Sequence, residues 1–265
     1  MLDFSFICPT NNMDMFNKNV SESLEKQTFR NFEVICVDTQ KEHFSSAANA
    51  LNYGASLSSG KYLVFLHHDI VIEDKRFVEK LYKLVNKYDF FIGGVAGARF
   101  KEHTFHIKNN IYTNIIDGPE KVRNPWFKKI KKVISAETVD ECFFVIPRKV
   151  FDKRQFIEYF PSWHLYSVEY SLWANKTCPG SVKVFPLKLY HISDGASMDK
   201  SYFKTLDLIR KEYNQDICTT VNSWCKNECL YQIKVICRNE WLHRIKSNYR
   251  NKLMHRIKIK YGKIS

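Results

Sequence analysis

No stretch of this chain reaches the roughly 18 consecutive apolar residues of a membrane-spanning helix. Its opening, Met1-Leu2-Asp3-Phe4-Ser5-Phe6-Ile7-Cys8-Pro9, has neither the basic start nor the long apolar run of a secretory leader, and reads as a first strand. The 8 cysteines show no C-x2-C spacing, although Cys218, Cys225, Cys229 and Cys237 cluster, so a structural zinc site is not expected. Without a leader, reduced thiols in a cytoplasm are the expectation, with Cys8 and Cys36 serving as small apolar groups in strands. There is no internal repeat. Beyond Glu240 there is no acidic residue at all, while Arg244, Lys246, Arg250, Lys252, Arg256, Lys258, Lys260 and Lys263 follow.

The composition is that of a folded protein. A hydrophobic fraction of 45% in 265 residues supplies a sizeable core, in one large domain or one domain with an appendage. The net charge of +13 points to an anionic partner. With Trp241, Leu242 and Ile245 as an apolar face, the basic tail suggests an interfacial helix on an anionic membrane surface, which places the protein in the cytoplasm or on the inner face of the plasma membrane. No nucleic-acid-binding motif accompanies the charge, so no nucleic acid is expected as a partner.

The first seventy residues alternate strands and helices. Phe4, Phe6, Ile7 and Cys8 form an apolar run closed by Pro9-Thr10-Asn11-Asn12. Asp14 is a candidate cap for a helix whose Phe16, Val20 and Leu24 make one apolar stripe. A second strand covers Phe32 to Val37 and ends at Asp38. A second helix fits Ser46 to Leu57, and a third strand, Tyr62 to Leu66, ends in His67-His68-Asp69. Near-continuous apolar strands separated by helices predict βαβ units on a parallel sheet covered on both faces. Ligands of such sheets bind beyond the carboxyl ends of the strands, where Thr10, Asn11, Asp38 and Asp69 fall.

Later segments are less regular. Helices are expected over Phe77–Val85, Tyr166–Asn175 and Ser201–Tyr213. Strands are expected over Phe91–Ala98, Phe143–Ile146 and Val182–Phe185. Residues 101–135, polar and rich in turn signals, read as a long mobile excursion.

A carboxylate at a strand end is a suitable anchor for a hard divalent ion, and such an ion can neutralise charge gathering on a departing diphosphate. Asp69 is so placed. His67 or His68 adds a nitrogen ligand or a hydrogen bond to the diphosphate, and Asp38 can reach a base or ribose. Tyr159, Phe160, Trp163 and Tyr166 offer ring faces that suit either sugar stacking or core packing.

Seven segments, in order, carry a resemblance to a known family: Pro9-Thr10-Asn11-Asn12; Ser23 through Asp38; Asn52-Tyr53-Gly54 with Gly60-Lys61-Tyr62; Phe65-Leu66-His67-His68-Asp69; Thr138 through Arg148; His164 through Leu172; and His191 through Ser197. Together, over about residues 1–200, the chain resembles family 2 glycosyltransferases, in the subgroup with His-x-Asp in place of Asp-x-Asp. The resemblance implies a GT-A fold with a mostly parallel central sheet flanked by helices; beyond it, the amphipathic pattern of Ser201–Tyr213 and the basic run that ends the chain read as a helical, basic appendage over 201–265. It also implies inverting chemistry, a nucleotide-diphosphate sugar donor, and Mn2+ or Mg2+. By the same resemblance Thr10, Asn11, Asp38, Asn52, His67 and His68 hold the donor, Asp69 and His191 the metal, and the acceptor is a surface polysaccharide or lipid-linked glycan. The usual Glu-Asp base segment is here Tyr166-Ser167, and a serine is no base unaided. Glu169, then Asp140, then His164 are the candidates for the group that takes the acceptor proton. The same departure leaves open a GT-A domain that binds nucleotide-sugar or glycan without turnover. A nucleotidyltransferase would need a glycine-rich, basic loop after the first strand, and Pro9-Thr10-Asn11-Asn12 has neither.

Overall fold

The structure is a computed structural model that describes residues 2–99, 110–125, 127–193 and 199–221. These residues fall in one compact unit, Met1–Trp224. Part of the 101–135 excursion, part of the late histidine segment, Cys225, Cys229, Cys237 and the whole basic tail lie outside the described residues.

In chain order the elements are β1 (Phe4–Thr10), α1 (Met13–Met15), a π-helical turn (Phe16–Ser21), α2 (Glu22–Glu25), β2 (Phe32–Asp38), α3 (Thr39–Glu42), α4 (Ala47–Ser56), β3 (Tyr62–Leu66), β4 (Ile70–Val71) and α5 (Phe77–Lys87). Then follow β5 (Ile92–Gly94), β6 (Ala96–Ala98), β7 (Ile111–Thr113), β8 (Ile116–Asp117), β9 (Ile134–Ser135), β10 (Thr138–Val139) and β11 (Phe143–Pro147). α6 (Arg148–Phe151), α7 (Tyr166–Thr177), β12 (Val182–Val184), β13 (Tyr190–His191) and α8 (Lys200–Tyr213) complete the described chain.

The central sheet has seven strands in the order β2-β1-β3-β11-β5-β12-β9. β1 pairs in parallel with both β2 and β3, which sets the strand ends Thr10 and Asp38 side by side. β11 runs antiparallel to both β3 and β5, while β5 and β12 are parallel. Strand alternation sends β1 side chains to two cores. Phe4, Phe6 and Cys8 join the side covered by Val20, Leu24 and the α5 residues Phe77, Val78 and Leu81. Ile7 joins the other side, with Leu51 of α4, Phe144 of β11 and Tyr170 of α7. Phe65 is fully buried against Phe144, Phe151 and Phe156 at centroid distances of 5.1, 5.7 and 5.1 Å. Burying an aromatic side chain of this kind stabilises by roughly 1.5–3 kcal/mol.

Two expectations need correction. The first helix is capped by Asn12, whose side chain accepts from Met15 N, and not by Asp14. The strand expected over Phe91–Ala98 is two short strands that diverge at Val95 into different sheets. The glycines there do mark close approach: a Cβ on Gly97 would stand 2.6 Å from the Thr138 carbonyl, and one on Gly93 2.3 Å from the Phe185 ring. α8 packs Tyr202, Leu206 and Ile209 against Leu165, Val168 and Leu172 of the α7 region. Among the described residues no helix is long and apolar enough to cross a membrane.

Candidate active site

The site begins where β3 ends. His67 N donates to the Cys142 carbonyl at 3.0 Å, which ties the His67-His68-Asp69 turn to the start of β11. The chain then enters β4, which pairs antiparallel with β13 so that His191 lies opposite Ile70. Ile192 N donates to the Asp69 carbonyl at 3.0 Å. This two-residue ladder carries His191 across more than a hundred positions to Asp69: its Nε2 stands 3.3 Å from Asp69 Oδ2. β8 lies on the other side of β13, pairing in parallel with Asp117 opposite His191.

One nitrogen each of His67 and His191 and one carboxylate oxygen of Asp69 all lie within 4.8 Å of one another. A divalent ion with bonds of about 2.1 Å holds its ligands roughly 3–4 Å apart, so the group closes on an ion by small side-chain rotations. Two buried atoms test the fit. Asp69 Oδ1 and His191 Nε2 are both inaccessible and have no hydrogen-bond partner. Burying an unsatisfied polar atom costs on the order of 1–3 kcal/mol, and more for a charged group. A cation between them would satisfy both, so these residues fit a metal.

Electrostatics point the same way. Burial opposes the Asp69 carboxylate, but His191, with His67 and His68 adding, overrides it and holds the carboxyl below its usual range. Burial likewise opposes a charged His191, yet Asp117 and Asp69 override it and raise the imidazole well above an ordinary histidine. Without an ion, the proton on His191 therefore stands in for the positive charge. The pair's contribution to stability is complete between the ordinary values of 3.8 and 6.5. It is lost as pH falls through the lowered Asp69 value, or rises through the raised His191 value. In metal-free protein, histidine NMR is expected to show His191 doubly protonated at pH 7.5, and Asp69→Asn should bring its titration down toward neutrality. A neutral His191 in the wild type at that pH would contradict this electrostatic account.

His67 is the opposite case, pushed down to about 4 by burial, with the neighbouring His191 and His68 adding to it. Its Nε2 lies 3.0 Å from the Tyr166 hydroxyl at the start of α7. His68 turns the other way. Its Nδ1 is 2.7 Å from Thr10 Oγ1, and its carbonyl accepts from Asn19 Nδ2 at 3.2 Å. Thr10, buried at the end of β1, thus links the His67-His68-Asp69 turn to the edge where Asp38 sits. Asp38 Oδ1 accepts from Gln40 N and Lys41 N and caps α3. Asn11, beside it, is exposed.

The other candidates divide. Asp140 is buried, accepts from Cys142 N at 2.9 Å and from the Thr220 hydroxyl, and acts electrostatically on both His67 and His191. Burial works against its carboxylate, but those hydrogen bonds hold its pKa below the usual range. Glu169 is placed elsewhere. Its Oε1 accepts from Arg154 Nη2 at 2.6 Å, Tyr159 at 3.3 Å and Tyr213 at 2.5 Å, inside the packing of α7 and α8. His164 packs edge-on against Tyr202, with Nε2 3.7 Å from Asp199, and burial lowers its pKa. Asn52 uses both amide atoms on the backbone of Phe156. Ser167 donates to the Val139 carbonyl and is fully buried. Among the candidate aromatics, Trp163 is 43% exposed, Tyr166 lies against His67, and Tyr159 is engaged by Glu169.

Three residues at the site escaped the sequence reading. Asp117 lies in the 101–135 stretch, whose turn signals give no hint of a partner for His191. Tyr166 stands with Ser167 in place of the usual base segment and offers a ring face, and neither reading points to its hydroxyl as a partner of His67. Glu141 carries a buried, unpartnered Oε1, and burial together with Asp140 pushes its carboxyl well above the usual range. An acid next to a candidate acid was the one available signal.

Among curated proteins no sequence matches this chain. Solved structures do match in shape. TarS of S. aureus, residues 1–349 with UDP-GlcNAc, superposes with a TM-score of 0.52 at 13% identity over 80% of this chain and 66% of that one. GalNAc-T7 with UDP, GalNAc and Mn2+ gives 0.51 at 14% identity over 81% and 49%. The mannosyltransferase PcManGT from Pyrobaculum calidifontis, with GDP-Man and Mn2+, gives 0.52 at 10% identity over 80% and 64%. The chain thus spans less than two thirds of the length of each of these, and at such identities the likeness shows the fold, which is GT-A. Residues 5–183, well over half of the chain, match the family model described as "Glycosyltransferase like family", and the chain belongs to that family.

Proposed function

We propose that this chain transfers a sugar from a nucleotide-diphosphate donor to a glycan hydroxyl, with inversion and with a divalent cation bound by Asp69, His191 and His67. The observation that carries this reading is that Asp69 Oδ1 and His191 Nε2 are both buried without a hydrogen-bond partner in side chains that meet beyond the carboxyl end of β3, with Nε2 3.3 Å from the other Asp69 oxygen, Oδ2. When bound, the cation supplies positive charge against the negative charge gathering on the leaving diphosphate.

The protein's own groups do the rest. Thr10 fixes the His68 ring through Nδ1, which leaves Nε2 to meet a diphosphate oxygen. Asp38 holds the start of α3 through Oδ1 and has a second oxygen for a ribose or base. Asp140 is the candidate carboxylate that shares the electrostatic field of the two metal-site histidines, and we assign it to the acceptor hydroxyl. Removal of that proton by a positioned carboxylate is worth typically 10²–10⁴ in rate. The relatives solved with UDP-GlcNAc, and with GDP-Man and Mn2+, support a nucleotide-sugar donor in general terms.

A panel of UDP- and GDP-sugars, each with and without Mn2+, tests the proposal by thermal melting. A donor at 100 times its Kd stabilises by about 2.7 kcal/mol, which for a domain of this size is a rise of roughly 5–10 °C. The rise is expected for one donor class and only with Mn2+. If no nucleotide-sugar raises the melting temperature in the presence of Mn2+, the reading fails.

A further inference from the structure

His191 faces two carboxylates, and only one of them belongs to the ligand group. Nε2 points at Asp69, 3.3 Å from Oδ2. Nδ1, on the opposite side of the ring, lies 3.8 Å from Asp117 Oδ1. A neutral imidazole has one nitrogen that carries a proton and one that offers a lone pair, and only the second can bind a cation. Which is which depends on the partner of the nitrogen that faces away from the ion.

The backbone around Asp117 is built to keep that partner in place. β8 pairs in parallel with β13, with Asp117 opposite His191. Ile116 N donates to the Leu189 carbonyl and Gly118 N to the His191 carbonyl, both at 3.0 Å, so Asp117 is clamped on both sides to the strand that carries the histidine. The turn that follows is closed by Lys121 N on the Gly118 carbonyl and by reciprocal Asp117–Val122 backbone bonds, with Gly118 at φ +71°. Lys121 then pairs with Glu73, just beyond β4, at 2.9 Å. The excursion after β7 is therefore anchored, at this point, to both other strands of the small β4-β13-β8 sheet.

We propose that Asp117 is a positioning residue for the cation site: it accepts the Nδ1 proton of His191, fixes the ring, and leaves the Nε2 lone pair aimed at the ion held with Asp69. The inference rests on the metal reading given above and extends it to a residue outside the ligand set. Asp117 touches neither substrate nor ion in this role. Its effect passes entirely through His191.

The test measures Mn2+ binding by the full chain without donor or acceptor, using titration followed by electron paramagnetic resonance, and counts coordinated imidazole nitrogens by electron spin-echo modulation. Wild type, Asp117→Asn, Asp117→Ala and, as a control, Asp69→Ala are compared. Loss of an outer partner of a metal-bound histidine typically weakens metal affinity roughly 10- to 100-fold. That loss is expected for Asp117→Ala, with one imidazole fewer on the ion. Asp117→Asn keeps an acceptor oxygen of the same shape, so its loss should be smaller and its two imidazoles retained. A purely structural role would lower the melting temperature of metal-free protein without changing the imidazole count. Mn2+ affinity and imidazole count equal to wild type in both Asp117 variants would overturn the proposal and leave the metal reading intact. Absence of Mn2+ binding in the wild type would overturn both. Asp117→Asn, nearly isosteric, keeps the test decisive if the alanine variant does not fold.

Discussion

Asp69→Ala is expected to reduce sugar transfer by at least about 10³-fold while the fold remains. Asp69 is the only carboxylate in the three-residue ligand group, and its buried Oδ1 has no other partner. A Lewis-acidic ion stabilises developing phosphate charge by several kcal/mol, and each 1.36 kcal/mol of barrier is a factor of about ten in rate. Alanine also takes a carboxylate partner away from the buried, protonated His191, so the metal-free protein is expected to melt at a lower temperature than the wild type. The signature is thus read below the variant's own melting transition: transfer and Mn2+-dependent donor binding vanish in protein that is still folded. An Asp69→Ala enzyme that transferred sugar within tenfold of the wild-type rate would remove the cation from the mechanism.

The second large effect concerns stability. Glu169→Gln is expected to destabilise the protein by about 3–5 kcal/mol, the usual cost of breaking a buried ion pair from one side. The Arg154 and Glu169 side chains are only 12% and 3% exposed, with Nη2 and Oε1 2.6 Å apart. The guanidinium also lies 5.5 Å from the Tyr170 ring centre and 5.1 Å from that of Trp173, and its Nη1 is already buried without a partner. Glutamine keeps acceptors for Tyr159 and Tyr213 but leaves that cation uncompensated. For a domain of this size the melting temperature should fall by roughly 10 °C, with the Kd for donor in the folded fraction unchanged. If Glu169 were instead the base, transfer would fall by 10²–10⁴ at an unchanged melting temperature. One variant therefore separates the two roles.

The contrast between these residues shows which parts of the site could be read from sequence. Thr10, Asp38 and Asp69 each close a strand whose apolar run is unmistakable, and parallel pairing of β1 with β2 and β3 then brings the ends to one edge. The periodicity of Phe16, Val20 and Leu24 gave a buried helix face, and the structure buries all three. The closure of the site had no such signal. β4, β8 and β13 are two residues long, too short for any alternation, so nothing in the pattern could place Asp117 against His191. His191 itself was found through resemblance to a family and not through periodicity. Glu169 was ambiguous because a carboxylate one turn into a helix looks the same in sequence whether it faces a cleft or an arginine; the structure sets it against Arg154. Arg154 lies in an irregular stretch with no motif, and only folding shows that it points at α7. The break at Val95 was equally hidden, since a run of small residues and glycines reads as one strand until backbones from two sheets compete for it.

The small three-stranded sheet has a consequence for how the protein comes into being. It joins pieces of chain that leave the ribosome at widely separated times, and closing such long loops is slow compared with local pairing. A nascent chain exposes Asp69 early but has no His191 to set against it until most of the domain has been translated. The proposed seat for the ion would thus be a late product of assembly, and a chain interrupted before β13 would resemble its relatives in outline while lacking the His191 that the proposal requires.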